Sequence, residues 1–372
     1  MTTKKKASKK TDSLSKFPGI EESVSTGYQK QVPQDDALVD LDEMIKMVGD
    51  SPSITRISTG LPWMEWACGG GFPERTMVEF YGPPKSFKST TAEYLAGRYA
   101  QAMGGNIVLL EFEHMEPRQV QLNLLPSGFR GEVYNVPATA EDKGKVVPMG
   151  DEERLRAFRS LLLSDGYAAG LLDPIGSFIP TAEEEENSMD EAHQGLWARQ
   201  AAKYSRAQVK DLRVCEHSFS VFVVNHEYTM MDGRGRKDSP GHRWKHGCGL
   251  RINLRKWYST PSKKGQSGEL EDGSWIVGSE VVENKWGPSG REFSYLVKAG
   301  RGVHPGLSAM HACMALGIAS SDGGRVSLDG KSYGYFKRIL QDQWKDEELF
   351  SPFYAAIDAW KDENMVVKGK GA

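Results

Sequence analysis

The chain has 372 residues, 39% of them hydrophobic and 26% charged, and a formal net charge of -3, which predicts one large globular domain with smaller attachments. No apolar run approaches the ~20 residues that cross a bilayer, so a helical membrane protein is excluded; the polar, Lys-rich start is not the pattern of a secretory signal, and a cytoplasmic location is expected. The charge balance means that any nucleic-acid surface must be local, and Cys68, Cys215, Cys248 and Cys313 stand too far apart for a zinc site, so all are read as reduced thiols.

Residues 1–33 read as a basic tail, either disordered and solvated or a local contact for nucleic acid. From Asp36 to Val48, Leu38, Leu41, Ile45 and Val48 recur at helical spacing behind acidic residues, predicting a short amphipathic helix. The break at 49–53 sets it apart, so residues 34–56 form an N-terminal segment that packs either on its own domain or on a neighbouring subunit. From Ile57 to about Gly300 short apolar runs alternate with helical patterns, which predicts an α/β fold with a mostly parallel central sheet flanked by helices. Its candidate strands are Met77–Tyr81, Ile107–Phe112, Ala169–Asp173 and Ser220–Asn225, and ligands of such sheets sit at the carboxyl ends of the strands. A helix is predicted from Met189 to about Glu216. Between Met230 and Gly249, Gly, Arg, Lys and His crowd together without an apolar period, predicting a long mobile loop of the functional kind. Past Trp257, strands Trp275–Val282 and Glu292–Val297 and helices Leu307–Leu316 and Tyr354–Trp360 suggest a small terminal subdomain. The division is drawn at 57–302 for the core and 303–372 for the C-terminal part.

The stretch Gly82, Pro83, Pro84, Lys85, Ser86, Phe87, Lys88, Ser89 and Thr90 follows a predicted strand and opens a predicted helix, the setting of a nucleotide phosphate loop. Such a loop turns backbone N–H groups toward the phosphates, uses a Lys to neutralise them and a Ser or Thr to ligate Mg²⁺, and Lys88 and Ser89 meet those needs. Phe87 stands where the general motif has Gly. A bulky residue at positive φ is an outlier, so either the loop is reshaped or the site is degenerate. Asp173 ends an apolar strand where a carboxylate can hold the Mg²⁺ shell. The run from Ile107 ends in Glu111-Phe112-Glu113-His114, and alternation puts both Glu residues on one face with Glu113 nearest the carboxyl edge. Glu113 is then either a general base for an attacking water or half of a surface ion pair.

With these segments in place the chain resembles the RecA recombinase family from about Ser58 to about Gly302. Ser58-Thr59-Gly60 with Leu61 and Trp63, then Gly69-Gly70-Gly71-Phe72-Pro73, resembles the family's first strand and Gly-rich turn. Glu113-His114 with Pro117 resembles the motif whose Glu is the catalytic base for ATP hydrolysis. Asp173 with Ile175, Ser177 and Pro180 resembles the second metal-binding strand and its exit. His193-Gln194-Gly195-Leu196 with Arg199 resembles the helix after the first DNA-binding loop, and Val224-Asn225-His226 the strand end that senses the γ-phosphate. Phe87 for Gly and His226 for Gln are similar to a phage branch of the family. Two positions depart from the pattern. Around Glu283-Asn284-Lys285 the family carries two Lys residues that reach the ATP of the neighbouring subunit, and only Lys285 matches, acting alone or with Arg291 or another nearby cation. Near Arg118 and Gln119 no aromatic residue stands where the pattern stacks a Tyr on adenine.

The resemblance implies a RecA-like P-loop ATPase core with ATP and Mg²⁺ as cofactors. Glu113, Lys88, His226 and Lys285 would serve hydrolysis, and Ser89 and Asp173 the metal. Arg199 and Arg206, seven apart and so on one helix face, would reach successive DNA phosphates, joined by Arg234, Arg236 and Arg243 from the second loop. The implied activity is homologous pairing and strand exchange on a helical filament of this chain. The implied partners are single-stranded DNA, homologous double-stranded DNA, a single-strand-binding protein and a loading mediator, in the host cytoplasm if the chain is phage-encoded. Two other readings stay open: a non-hydrolysing DNA-binding mediator with a degenerate nucleotide site, and a ring motor built on the same core.

Overall fold

The structure is a computed structural model that describes residues 54–113, 115–142, 144–181, 196–229, 236–238, 244–256, 270, 272–298 and 300–365. The predicted basic tail and amphipathic helix lie outside the described residues, which fall in one compact unit beginning at Ile54.

In chain order, β1 (Arg56–Ile57), α1 (Pro62–Cys68) and β2 (Phe72–Pro73) form a small antiparallel clasp. It closes through Gly71, where a Cβ would come within 2.5 Å of the Ile57 carbonyl oxygen. Strand β3 (Met77–Gly82) leads into α2 (Lys88–Met103), then β4 (Asn106–Glu111), α3 (Pro117–Leu124) and β5 (Val133–Asn135). A hairpin of β6 (Thr139–Asp142) and β7 (Lys145–Pro148) precedes α4 (Asp151–Leu162), β8 (Tyr167–Asp173), α5 (Leu196–Val214) and β9 (Ser220–Thr229). Next come β10 (Arg236–Asp238), which folds back on β9, and β11 (Leu250–Lys256), β12 (Trp275–Asn284), β13 (Arg291–Lys298) and β14 (Gly302–Val303). The chain closes with α6 (Pro305–Ala315), β15 (Ser320–Asp322), β16 (Arg325–Leu328), β17 (Lys331–Tyr335) and α7 (Glu347–Met365).

The central sheet runs β14-β13-β12-β11-β3-β9-β8-β4-β5. It is parallel from β11 to β5 and antiparallel from β11 outward to β14. Both faces are covered, so its strands read as continuous apolar runs. Val78, Phe80, Leu109, Leu171, Phe222 and Val224 meet α2 through Tyr94, Leu95 and Tyr99 on one side. Met77, Val108, Leu110, Leu172, Val221 and Val223 meet Phe158 of α4 and Tyr204 of α5 on the other.

Three expectations are corrected. Strands β12 and β13 do not belong to a terminal subdomain: β11 leaves an open edge in the parallel sheet, β12 pairs with it, and Val277, Val281, Phe293 and Tyr295 join the core on the α2 side. The predicted helix Tyr354–Trp360 is the middle of α7, which starts before Pro352. The helix predicted to end near Glu216 ends at Val214, and its residues 189–195 lie outside the described residues. Helix α6, the small sheet β15–β17 and α7 enclose their own apolar cluster against Leu296, including Leu307, Met310, Phe350 and Phe353. The end of α7 returns to α1 through Lys361 Nζ and Glu65 Oε2, 2.9 Å apart, and through the rings of Trp66 and Trp360.

Candidate nucleotide site and basic helix face

Strand β3 is buried throughout and ends at Gly82, whose φ is +155°. A Cβ there would lie 2.1 Å from the Leu254 carbonyl oxygen of β11, so only glycine lets the loop leave the sheet this close to its neighbour. The loop turns through Lys85 at φ 59° and Phe87 at φ 64°, ψ 29°, and Phe87 is the N-cap of α2. Phe87 adopts the left-handed conformation a glycine would take, at a cost of about 1–2 kcal/mol. Its ring sits 5.9 Å from that of Trp275 at the start of β12. Its carbonyl accepts the Thr91 backbone N–H at 3.0 Å and the Thr91 hydroxyl at 2.7 Å. That hydroxyl also lies 2.5 Å from the Tyr295 hydroxyl of β13, which ties the left-handed turn to the sheet.

Parallel register then lines up the strand ends. Gly82 pairs with His226, and Glu111 pairs with Asp173. At this carboxyl edge lies a cleft of about 530 Å³ whose lining includes Lys85, Lys88, Ser89, Glu113, Asp173 and His226. Lys88 Nζ donates to the Pro83 carbonyl at 2.9 Å; burial lowers its pKa, and Asp173 and Glu113 act against that shift. Asp173 is 4% exposed. Burial pushes its carboxyl up to about 6 and the Ser89 hydroxyl, hydrogen-bonded to it, pulls the other way. Among the described residues, Asp173 Oδ2 is buried without a hydrogen-bond partner. A hydroxyl beside a carboxylate oxygen that lacks a donor is the oxygen set a hard dication takes, so these residues fit Mg²⁺.

Strand β4 stops at Glu111, whose carboxylate accepts the Met115 N–H at 2.8 Å and the Asn135 amide at 2.9 Å. The expected shared face of Glu111 and Glu113 thus ends with the strand: Glu111 closes the turn toward α3, and Glu113 faces the cleft with 60% of its side chain exposed. Glu113 Oε1 accepts the Ser177 hydroxyl at 3.0 Å and lies 3.5 Å from His226 Nε2. The turn itself is held by Arg154 of α4, which donates to the Glu111 carbonyl at 2.6 Å and covers the Phe112 ring. Neither contact was predicted, since the partners lie 64 and 43 residues from what they hold.

The remaining predicted residues lie elsewhere. Lys285 is not in the cleft lining; its Nζ donates to the His246 carbonyl at 2.5 Å. Glu283, the charge-reversed neighbour, sits directly across from Arg251 and accepts from its guanidinium at 2.7 Å. Arg291 donates to the Trp66 carbonyl at 2.6 Å and covers that indole, and burial lowers its pKa. Arg199, Lys203, Arg206 and Lys210 form one exposed face of α5, while Tyr204, Gln208 and Leu212 are buried on the other. Arg234 and Arg243 lie outside the described residues; Arg236 begins β10, paired with Thr229. The predicted loop does not extend to Gly249, because Trp244 is fully buried and stacks on Tyr204 with ring centroids 6.2 Å apart at 15°. An indole buries more apolar area than the surrounding polar residues could keep in solvent.

The fold and the cleft together define an α/β protein with a glycine-led loop and a polar cleft at the carboxyl edge of a parallel sheet. No family model matches the chain. It is 25% identical over 293 residues to Protein RecA of Geobacter sulfurreducens, covering 76% of this chain and 78% of that one. It is 25% identical over 339 residues to Protein RecA of Frankia alni, covering 87% and 90%. Among solved structures, the RadB recombinase is similar with a TM-score of 0.44 and 16% identity, over 66% of this chain and 98% of that chain. The likeness to RecA proteins spans most of both sequences.

Proposed function

We propose that the protein is an ATP-dependent DNA recombinase that polymerises on single-stranded DNA and drives homologous pairing and strand exchange with double-stranded DNA. The observation that carries this reading is the gathering of Lys88, Ser89, Asp173, Glu113 and His226 around one cleft at the carboxyl edge of the parallel sheet. The likeness to RecA proteins supports the same class.

In this reading the residues 82–90 cradle the phosphates of ATP with backbone N–H groups, and Lys88 neutralises their charge. Ser89 and Asp173 would hold Mg²⁺, which when bound supplies neutralisation of the β and γ groups. Glu113, oriented by Ser177, accepts the proton of the attacking water. His226 meets the γ-phosphate, and Lys285 serves the nucleotide of a neighbouring copy in the filament. Arg199 and Arg206 hold successive DNA phosphates, and Arg234, Arg236 and Arg243 close over the strand. Phe87 and His226 together support a finer resemblance, to the phage recombinase UvsX. A single-strand-binding protein and a loading mediator are the auxiliary partners, and the host cytoplasm is the setting.

Electron microscopy with single-stranded DNA of several lengths, Mg²⁺ and a slowly hydrolysed ATP analogue tests the assembly. Helical filaments whose length follows the DNA support the reading, and closed rings of fixed size contradict it. Lys88→Ala abolishes turnover, and Glu113→Gln lowers it by about 10²–10⁴ while nucleotide still binds; full activity in either removes the assignment.

A further inference from the structure

Glu79 lies in the middle of β3 with no exposed surface, and donors from three separate segments converge on its carboxylate. Oε1 accepts the Asn225 amide at 2.7 Å and the Trp244 indole N–H at 2.8 Å, and Oε2 accepts Arg251 Nε at 2.5 Å. Asn225 adjoins His226 on β9, and its own Oδ1 accepts the His226 backbone N–H at 2.8 Å. Trp244 stacks on Tyr204, and the far side of that helix carries Arg199 and Arg206. Arg251 covers the Tyr81 ring and continues to Glu283.

We propose that Glu79 is a positioning residue that couples the nucleotide edge at His226 to the basic helix α5. The inference rests on the reading of the cleft and of α5 given above. Two donors share one oxygen: the Asn225 amide, whose carbonyl end holds His226, and the Trp244 indole, whose ring abuts α5. A shift of His226 toward a bound phosphate pulls on Asn225, changes its share of Oε1, and so changes how firmly Trp244 and Tyr204 are held. Burying a carboxylate and a guanidinium costs desolvation that well-packed apolar side chains avoid, so stability alone does not account for a polar hub at this position. Linkage also requires reciprocity: whatever nucleotide does to DNA affinity, DNA does equally to nucleotide affinity.

The test is the dissociation constant of the full chain for a fluorescently labelled oligothymidylate, with and without Mg²⁺ and a slowly hydrolysed ATP analogue. The ratio of the two constants is the coupling factor, typically about 5–150. Trp244→Phe keeps the ring on Tyr204 and removes only the N–H donor; Glu79→Gln keeps the shape and alters the acceptors. In both, the coupling factor is expected to fall to about 2 or less, while DNA binding without nucleotide and nucleotide binding without DNA stay near wild type. A purely structural role weakens the separate affinities and leaves the ratio intact, and that result overturns the proposal. If Glu79→Gln does not fold, Trp244→Phe decides. A wild-type ratio of one removes the functional reading first and this proposal with it.

Discussion

Glu79 and Glu93 are both carboxylates without exposed surface, one on β3 turned toward α5 and the other on α2 turned toward α3. Glu79 receives Asn225, Trp244 and the Arg251 guanidinium. Among the described residues, Glu93 receives only the Asn123 amide on Oε2, at 2.5 Å, while its Oε1 is buried without a partner, and burial pushes its carboxyl up to about 8. Depth of burial is the same in the two places. What differs is the number and charge of the donors: a guanidinium and two N–H groups at Glu79, one amide at Glu93.

The largest effect expected from that contrast is at the anchor. Glu79→Ala leaves Arg251 facing an empty site and should cost about 3–5 kcal/mol in a urea titration; a negligible loss would mean that Glu283 suffices for the guanidinium. Glu93→Gln should act in the opposite direction. The Glu93 carboxyl rises from 4.5 in the unfolded chain to about 8 in the fold. Its contribution to stability is therefore full below the lower value and is lost as the pH rises through the upper one. Thermal melts from pH 5 to pH 8 should show the variant gaining on the wild type by on the order of 1 kcal/mol per pH unit, then levelling. A gap that ignores pH would contradict the neutral carboxyl. Trp244→Phe removes one hydrogen bond to a charged acceptor and should cost about 1.5–3 kcal/mol by the same urea titration. The smallest change is Asn123→Ala, about 1 kcal/mol, accompanied by a further upward move of the Glu93 titration in carboxyl-labelled NMR, since the amide is what lowers it.

Much of the cleft edge was legible because it is local: an apolar strand, a turn with Lys88 and Ser89, a strand end at Asp173 and the Asn225-His226 pair on β9 occupy contiguous stretches. Phe87 was legible as an anomaly but not as a solution, because its left-handed turn is held by Trp275 and, through Thr91, by Tyr295, about two hundred residues away. The alternation that placed Glu111 beside Glu113 failed where β4 stopped, a boundary set by Arg154 and Asn135. Glu79 itself carried a signal that was missed, a charged residue inside the run Met77-Val78-Glu79-Phe80-Tyr81 with Asn225 at the end of another central run. Its partners Trp244 and Arg251 follow only once β11 is known to lie beside β3. Trp244 was hidden by its polar neighbours, and Glu283 looked like a lost cation until its cross-strand position opposite Arg251 was known.

ATP turnover by the full chain with Mg²⁺, measured with and without single-stranded DNA, tests the central claim most directly. The account predicts strong stimulation by the DNA and none in Lys88→Ala. DNA binding without turnover, or turnover indifferent to DNA, would contradict it.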